Sequence, residues 1–304
     1  MDLVIQGPAL SPEAIDTFKV VCSPARITRR TAPEPAARLL AVTDDAETRK
    51  AVAGLADFWK LDFAFVSPSL KLADFRLLAM DMDSTLINIE SLDEIAAYAG
   101  RGEEVAAITE AAMRGEITDY AESLRRRVAM LAGVDAALIE RVYEDKLRLN
   151  PGAEDLIRAA QAAGLKTLLV TGGFTEFTAK MKTRLGLDFT RSNELKIIDG
   201  KLTGGVSGPN DGAIIDAAGK ARTVAETCQA IACPTSAAIT MGDGANDLAM
   251  MKLARLSVAY RAKPVVRAQA TYALSHASLA GVLNWFTDEP ELVSQSSNKD
   301  SWGK

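Results

Sequence analysis

The run Leu77-Leu78-Ala79-Met80-Asp81-Met82, with the acidic turn Asp83-Ser84-Thr85 that continues it, sets the architecture of this chain. The run is apolar and too short for a helix, which suits a strand buried on both faces of a parallel sheet. Two more such runs occur, at Leu165–Val170 and Ala237–Met241. Each ends in a polar or glycine-rich turn and leads into a helical pattern. Phe177, Met181 and Leu185 mark the helix after the second run. This alternation predicts a doubly wound α/β core with a parallel sheet, whose ligands gather at the carboxyl ends of the strands.

Around this core the pattern changes twice. Between roughly residues 90 and 150 it is helical without a strand signal, which reads as a helical cap inserted into the α/β core. Asn193–Gly205 holds a hairpin, because Asp199-Gly200 is a strong turn dipeptide between Leu195–Ile198 and Lys201–Thr203. Before the core, Leu3–Gln6, Arg26–Arg30, Arg38–Val42 and Asp62–Val66 read as strands. The helix between the first pair starts at Ser11-Pro12 and carries Ile15, Phe18 and Cys22. The helix after Asp44 buries Val52, Leu55 and Trp59. That order, βαββαβ, is the ferredoxin-like α+β pattern. The expected division is a small unit at 1–73, a core with its cap at 74–290 and a polar tail at 291–304.

The chain has 304 residues, 48% of them hydrophobic and 25% charged, with a net charge of −5. Such a composition supports a sizeable core and argues against a nucleic-acid partner, whose footprint is basic and clustered. Arg125, Arg126 and Arg127 form the one basic run that stands out. No apolar run approaches the roughly 20 residues of a membrane span. Three cysteines, Cys22, Cys228 and Cys233, have no framework or metal-ligand spacing, which predicts reduced thiols and a cytoplasmic setting.

Three strand ends carry unusual residues: Asp81-Met82-Asp83-Ser84-Thr85, Thr171-Gly172-Gly173-Phe174 and Gly242-Asp243-Gly244-Ala245-Asn246-Asp247. Lys220 lies between the second and third. Four carboxylates brought to one crevice repel one another unless a cation is present. An oxygen-rich acidic set suits Mg²⁺. Lys220, the Thr171 hydroxyl and the backbone N–H groups of the glycine turn are then candidates to hold phosphate oxygens.

Each feature alone has an ordinary explanation. An Asp-x-Asp is usually a solvated turn, a Thr-Gly-Gly a strand-to-helix turn, and a single lysine a surface residue. A calcium loop requires Gly at its sixth position and Glu at its twelfth. Counting from Asp81 these are Leu86 and Leu92, and from Asp243 Leu248 and Ala254, so both fail. The weight lies in the ordered combination.

That combination resembles the haloacid dehalogenase superfamily of phosphatases, whose four motifs match as DMDST, TGG, Lys220 and GDGAND. Glu90, Met113 and Ser123-Leu124-Arg125-Arg126-Arg127-Val128 resemble the cap of the phosphoserine phosphatases, as does the hairpin followed by Asp216-Ala-Ala-Gly-Lys220. The likeness covers about residues 77–285. One departure is Thr171, where many members have Ser; both supply a hydroxyl. The N-terminal pattern resembles the ACT-like regulatory domains on some bacterial members, without a motif.

The resemblance implies a Mg²⁺-dependent phosphomonoesterase acting on O-phospho-L-serine, the last step of serine biosynthesis. It makes Asp81 the nucleophile and Asp83 the general acid and later base. Mg²⁺ falls to Asp81, the Asp83 carbonyl and Asp243, and the phosphate to Thr171, Gly172, Lys220 and Asn246. Glu90 and Arg127 would take the substrate ammonium and carboxylate. Asp247, Gly173 and Met113 support the site, Met113 by packing over it or as ordinary helix core. His276 reads as a bystander, and Trp59 and Trp285 as core anchors. The N-terminal unit is left with homodimer formation or serine binding as roles. Two other readings stay open: a phosphatase or phosphotransferase for another small phosphate ester, and a non-catalytic amino-acid sensor.

Overall fold

The structure is a computed structural model that describes residues 1–288; the tail at 291–304 lies outside the described residues. Six elements open the chain: β1 (Asp2–Gln6), α1 (Pro12–Cys22), β2 (Arg26–Arg30), β3 (Ala36–Leu40), α2 (Ala46–Trp59) and β4 (Asp62–Val66). Local chemistry starts both helices. Ser11 Oγ accepts the Ala14 N–H at 3.2 Å ahead of Pro12, and Asp45 accepts the Thr48 N–H at 2.8 Å. The strands form one antiparallel sheet in the order β2-β3-β1-β4.

Strand β3 sits two residues earlier than its sequence pattern indicates. Ala41 takes a φ of 58°, which no strand accommodates, and its N–H turns to the Asp2 carboxylate at 3.2 Å. Alternation then sorts the side chains of this sheet. Leu3, Ile5, Leu39 and Phe65 pack under α1 and α2, while Val4, Ala36, Ala64 and Val66 join the core of the following α/β layer. Trp59, expected in the core, is only half-buried at the end of α2. Trp285 is fully buried.

The α/β layer begins with β5 (Leu77–Met80), and its cap follows as α3 (Ser91–Tyr98), α4 (Gly102–Met113), α5 (Tyr120–Ala129) and α6 (Ala137–Asp145). Next come α7 (Ala153–Ala162), β6 (Lys166–Phe174), α8 (Thr175–Leu185), and the hairpin β7 (Phe189–Ile198) and β8 (Lys201–Ser207). The chain then continues through α9 (Ala217–Ala230), β9 (Ala238–Gly242), α10 (Leu248–Met251), β10 (Leu256–Tyr260), α11 (Pro264–Arg267) and β11 (Tyr272–Leu274). The sheet order is β11-β10-β9-β5-β6-β7-β8, parallel except for the β7–β8 pair. Strand β5 is central, between β9 and β6, and all four of its residues are buried. The order reverses there, which places a crevice at the carboxyl ends of β9, β5 and β6.

Two links fix the cap. The hairpin props its far end: the Gly133 N–H donates to Leu202 O and the Ala136 N–H to Gly200 O, both at 2.8 Å. The entry and exit segments pair with each other at Ile87 and Leu149. A 3₁₀ segment, Leu279–Trp285, follows near the end of the described residues and wedges between the first sheet and the α/β layer. There the Asp62 carboxylate accepts three consecutive main-chain N–H groups, Ser275, His276 and Ala277, at 2.7, 2.9 and 2.7 Å. That is the structural setting of His276, remote from the crevice.

Candidate active site

Asp81 leaves β5 at its carboxyl end, its own N–H still bonded to Met241 O of β9 at 3.0 Å. A wide turn over Met82–Leu86 follows, with Asp83 extended and Ser84 at φ 56°. The left-handed Ser84 reverses the chain tightly enough to return Glu90 to it, and Ser84 Oγ donates to Glu90 Oε1 at 2.7 Å. Thr85 Oγ1 donates to Asp243 Oδ1 at 2.9 Å, tying the β5 turn to the β9 turn. Ser91 donates twice to Asp83, from N at 3.1 Å and from Oγ at 3.0 Å.

These groups open onto a cavity of about 500 Å³ between core and cap. Its wall includes Asp81, Asp83, Glu90, Arg127, Thr171, Gly172, Gly173, Asp243 and Asn246, so nine residues proposed from sequence converge. Lys220 and Asp247 are not in the wall. Both are fully buried behind it, and Lys220 Nζ donates to Asp81 Oδ1 and Asp247 Oδ1 at 2.7 Å each. Met113 ends α4, and its side chain lies outside the described part of the structure. Arg125 and Arg126 point to solvent, Arg126 pairing with Glu122 at 2.7 Å, whereas Arg127 turns inward. Its Nε is buried without a protein partner.

Glycine at 172 and 173 is a steric requirement. A Cβ at 172 would collide with the Tyr120 hydroxyl, which reaches across from α5, and one at 173 would sit 2.9 Å from Asp83 Oδ2. Thr171 Oγ1 accepts the Gly173 N–H at 2.9 Å and fixes this turn. The sequence reading missed Tyr120 and Ser91, and assigned Ser84 no role beyond its place in the DMDST motif. Tyr120 is a single aromatic in a helical run, and nothing in its spacing relates it to Gly172.

The electrostatics follow from crowding. Burial, then the charges of Glu90 and Asp81, hold the Asp83 carboxyl well above the ordinary aspartate value. Burial also raises Glu90, against the pull of Ser84 and Arg127. Burial and the Asp81 charge push Asp243 up to about 6. Burial opposes the Lys220 charge, but Asp81 and Asp247 outweigh it and keep the ammonium protonated. Asp83, whose proton is favoured by burial, thus stands beside Asp81, which a buried cation holds in place. That pairing suits acid-assisted nucleophilic displacement.

Carboxylate oxygens of Asp81, Asp243 and Asp247 lie within 4.8 Å of one another. Three carboxylates so close repel one another, and a divalent cation would offset that repulsion with the oxygen donors it prefers. Asp247 is the least available of the three, since its oxygens already accept from Lys220 and from the Gly244 N–H at 3.0 Å.

The haloacid dehalogenase-like hydrolase family matches residues 78–252, more than half of the chain. This chain belongs to that family. A phosphoserine phosphatase from Polaromonas sp. (strain JS666 / ATCC BAA-500) is 57% identical to this hydrolase over 217 residues, 71% of this chain and 92% of the relative. A crystal structure of a HAD family hydrolase from Salmonella enterica serovar Typhi superposes with a TM-score of 0.82 at 31% identity, covering 95% of this hydrolase and 100% of that chain. That of a probable phosphoserine phosphatase from Vibrio cholerae, unliganded, does so at 0.80 and 34%, covering 93% and 85%. The hydrolase therefore shares its fold, N-terminal sheet included, with both. No helix among its described residues is long and apolar enough to cross a membrane.

Proposed function

We propose that this hydrolase is a phosphoserine phosphatase, converting O-phospho-L-serine to serine and phosphate as the last step of serine biosynthesis. The observation that carries the reading is the composition of one cavity. Asp81 and Asp83 stand at its floor, and its cap side offers one carboxylate, Glu90, and one guanidinium, Arg127, with an unpartnered Nε. A phosphorylated amino acid presents the complementary ammonium and carboxylate, and Arg suits the latter as a two-pronged donor.

In the first half-reaction an Asp81 oxygen attacks phosphorus, forming a P–O bond as the bond to the serine oxygen breaks. Asp83 gives its proton to that oxygen, for which its raised pKa equips it. In the second, water attacks the aspartyl phosphate, Asp83 takes the proton back, and Asp81 is released. Lys220 holds Asp81 aimed, while Thr171, Gly172 and Asn246 line the phosphate end. Asp81, the Asp83 carbonyl and Asp243 would hold Mg²⁺, which neutralises phosphate charge when bound. We further assign residues 1–73 to an ACT-like unit that binds serine or pairs two copies, residues 74–290 to the phosphatase with its cap at about 90–150, and the enzyme to the cytosol, where its three unpaired cysteines stay reduced.

The test is phosphate release from L-phosphoserine, phosphothreonine and several sugar phosphates, with Mg²⁺ or EDTA, for wild type and Asp81→Asn. Selective hydrolysis of phosphoserine that requires Mg²⁺ and vanishes in Asp81→Asn is expected. Preference for another ester would remove Glu90 and Arg127 as amino-acid clamps. Folded wild type that hydrolyses none would overturn the reading.

A further inference from the structure

The chain returns from cap to core at Asn150, 6% exposed, and its side-chain amide faces the catalytic turn from behind. Asn150 Nδ2 lies 2.9 Å from Thr85 O, 3.0 Å from Ile87 O and 3.4 Å from Ser84 O. Three carbonyls of the turn between Asp83 and Glu90 therefore converge on one buried amide. Such carbonyls have no strand or helix partner, and leaving them bare would be costly. The hydroxyls of two of these residues are the ones that hold Glu90 and Asp243.

We infer that Asn150 is a positioning residue for phosphoserine hydrolysis: its amide fixes the Ser84-Thr85 turn and so the placement of Asp83 and Glu90. The inference rests on the proposed function. The cap junction does not rest on this amide alone, because other bonds also close it. The Asn150 N–H donates to Leu86 O at 2.9 Å, the Asn88 N–H to Arg148 O at 3.0 Å, and the Arg148 N–H to Asn88 Oδ1 at 2.7 Å. Removing the side-chain donor leaves these in place and frees only the turn.

The experiment compares kcat/KM for phosphoserine and for p-nitrophenyl phosphate in wild type, Asn150→Asp and Asn150→Ser, beside a thermal melt of each. The aryl ester leaves without a proton and has no ammonium, so it needs neither Asp83 as acid nor Glu90. Asn150→Asp keeps the shape but sets an acceptor against three acceptors, and phosphoserine kcat/KM is expected to fall by about 10²-fold. The loss with p-nitrophenyl phosphate should stay within about tenfold. Asn150→Ser retains one donor and should fall between the two, which carries the test if Asn150→Asp does not fold. Equal losses for both substrates, or no loss in a folded variant, would overturn the inference. The wild-type rates separately test the phosphoserine reading: if another alkyl ester proves to be the substrate, the same ratio taken with that ester decides whether Asn150 positions the acid.

Discussion

Lys220 Nζ and Asp247 Oδ1 lie 2.7 Å apart, neither side chain having more than 1% of its surface exposed. An ammonium so deep in the molecule is tolerable only because it also bonds Asp81 at 2.7 Å.

Lys220→Met should therefore leave two buried carboxylates without a cation and destabilise the protein by about 3–5 kcal/mol. Those carboxylates would prefer their protons, so the deficit relative to wild type should shrink as pH falls from 8 to 5. Denaturant titrations across that range check both the size and the sign. A variant equally destabilised at every pH would mean that lost packing, not lost charge, is responsible.

Cap closure leaves no room at Gly172 beneath the Tyr120 hydroxyl. Gly172→Ala should lower kcat/KM by about 10²-fold, since small displacements of a reacting site are amplified. Adding Tyr120→Phe, which removes the colliding oxygen, should recover a substantial part. Steady-state kinetics of the single and double variants measure that coupling; additive losses would place the clash elsewhere.

Asp243, pushed up to about 6, must lose its proton to bind a cation. Affinity for Mg²⁺ should rise with pH through 6 and then level, with proton release on binding near pH 6. Calorimetry in buffers of different ionisation enthalpy reads both. The sign for stability is opposite in metal-free protein. A carboxyl whose folded pKa is raised favours the folded state when protonated, so the Asp243 contribution to stability in EDTA should decline as pH rises from about 4 to about 6. Asp247, which burial and the Asp81 charge push up to about 7, should carry the decline further. Mg²⁺ should remove much of that decline, and melting curves with and without it provide the check.

Asp62 accepts three successive N–H groups from Ser275, His276 and Ala277. Asp62→Ala should cost about 2–4 kcal/mol, since charged acceptors contribute more than neutral ones. KM for phosphoserine should stay unchanged, because the active-site cavity is walled by other residues. Urea unfolding and steady-state kinetics together check this.

Much of the core was legible because its signals are local. The apolar runs at β5, β6 and β9 end in acidic or glycine-rich turns, and Asp199-Gly200 announced the β7–β8 hairpin. The far edge was not. Strand β11 has only three residues, Tyr272–Leu274, and its place is set by pairing with β10, itself undetected. Within the site, residues borne on motifs converge, whereas Tyr120 and Asn150 act across 52 and 65 residues, on Gly172 and Thr85 respectively. Their side chains are ordinary for a helix and a turn, and only the packed cap gives them partners. The register of β3 was missed because the φ of Ala41, which ends that strand, has no sequence signature.

The segment that seals the first sheet leaves the ribosome long after the sheet itself. Asn284 Nδ2 donates to Gln6 Oε1 at 2.8 Å and Arg38 to Trp285 O at 2.6 Å, so the first sheet and the Leu279–Trp285 segment are laced together. At about 5–20 residues per second, the roughly 200 residues between β4 and Ser275 take on the order of 10–40 s to synthesise. Through that interval the apolar face carrying Val4, Ala36, Ala64 and Val66 lacks its final cover. The nascent chain is thus open to wrong association, or to a chaperone, at this first sheet until the Leu279–Trp285 segment has been made and the lacing closes.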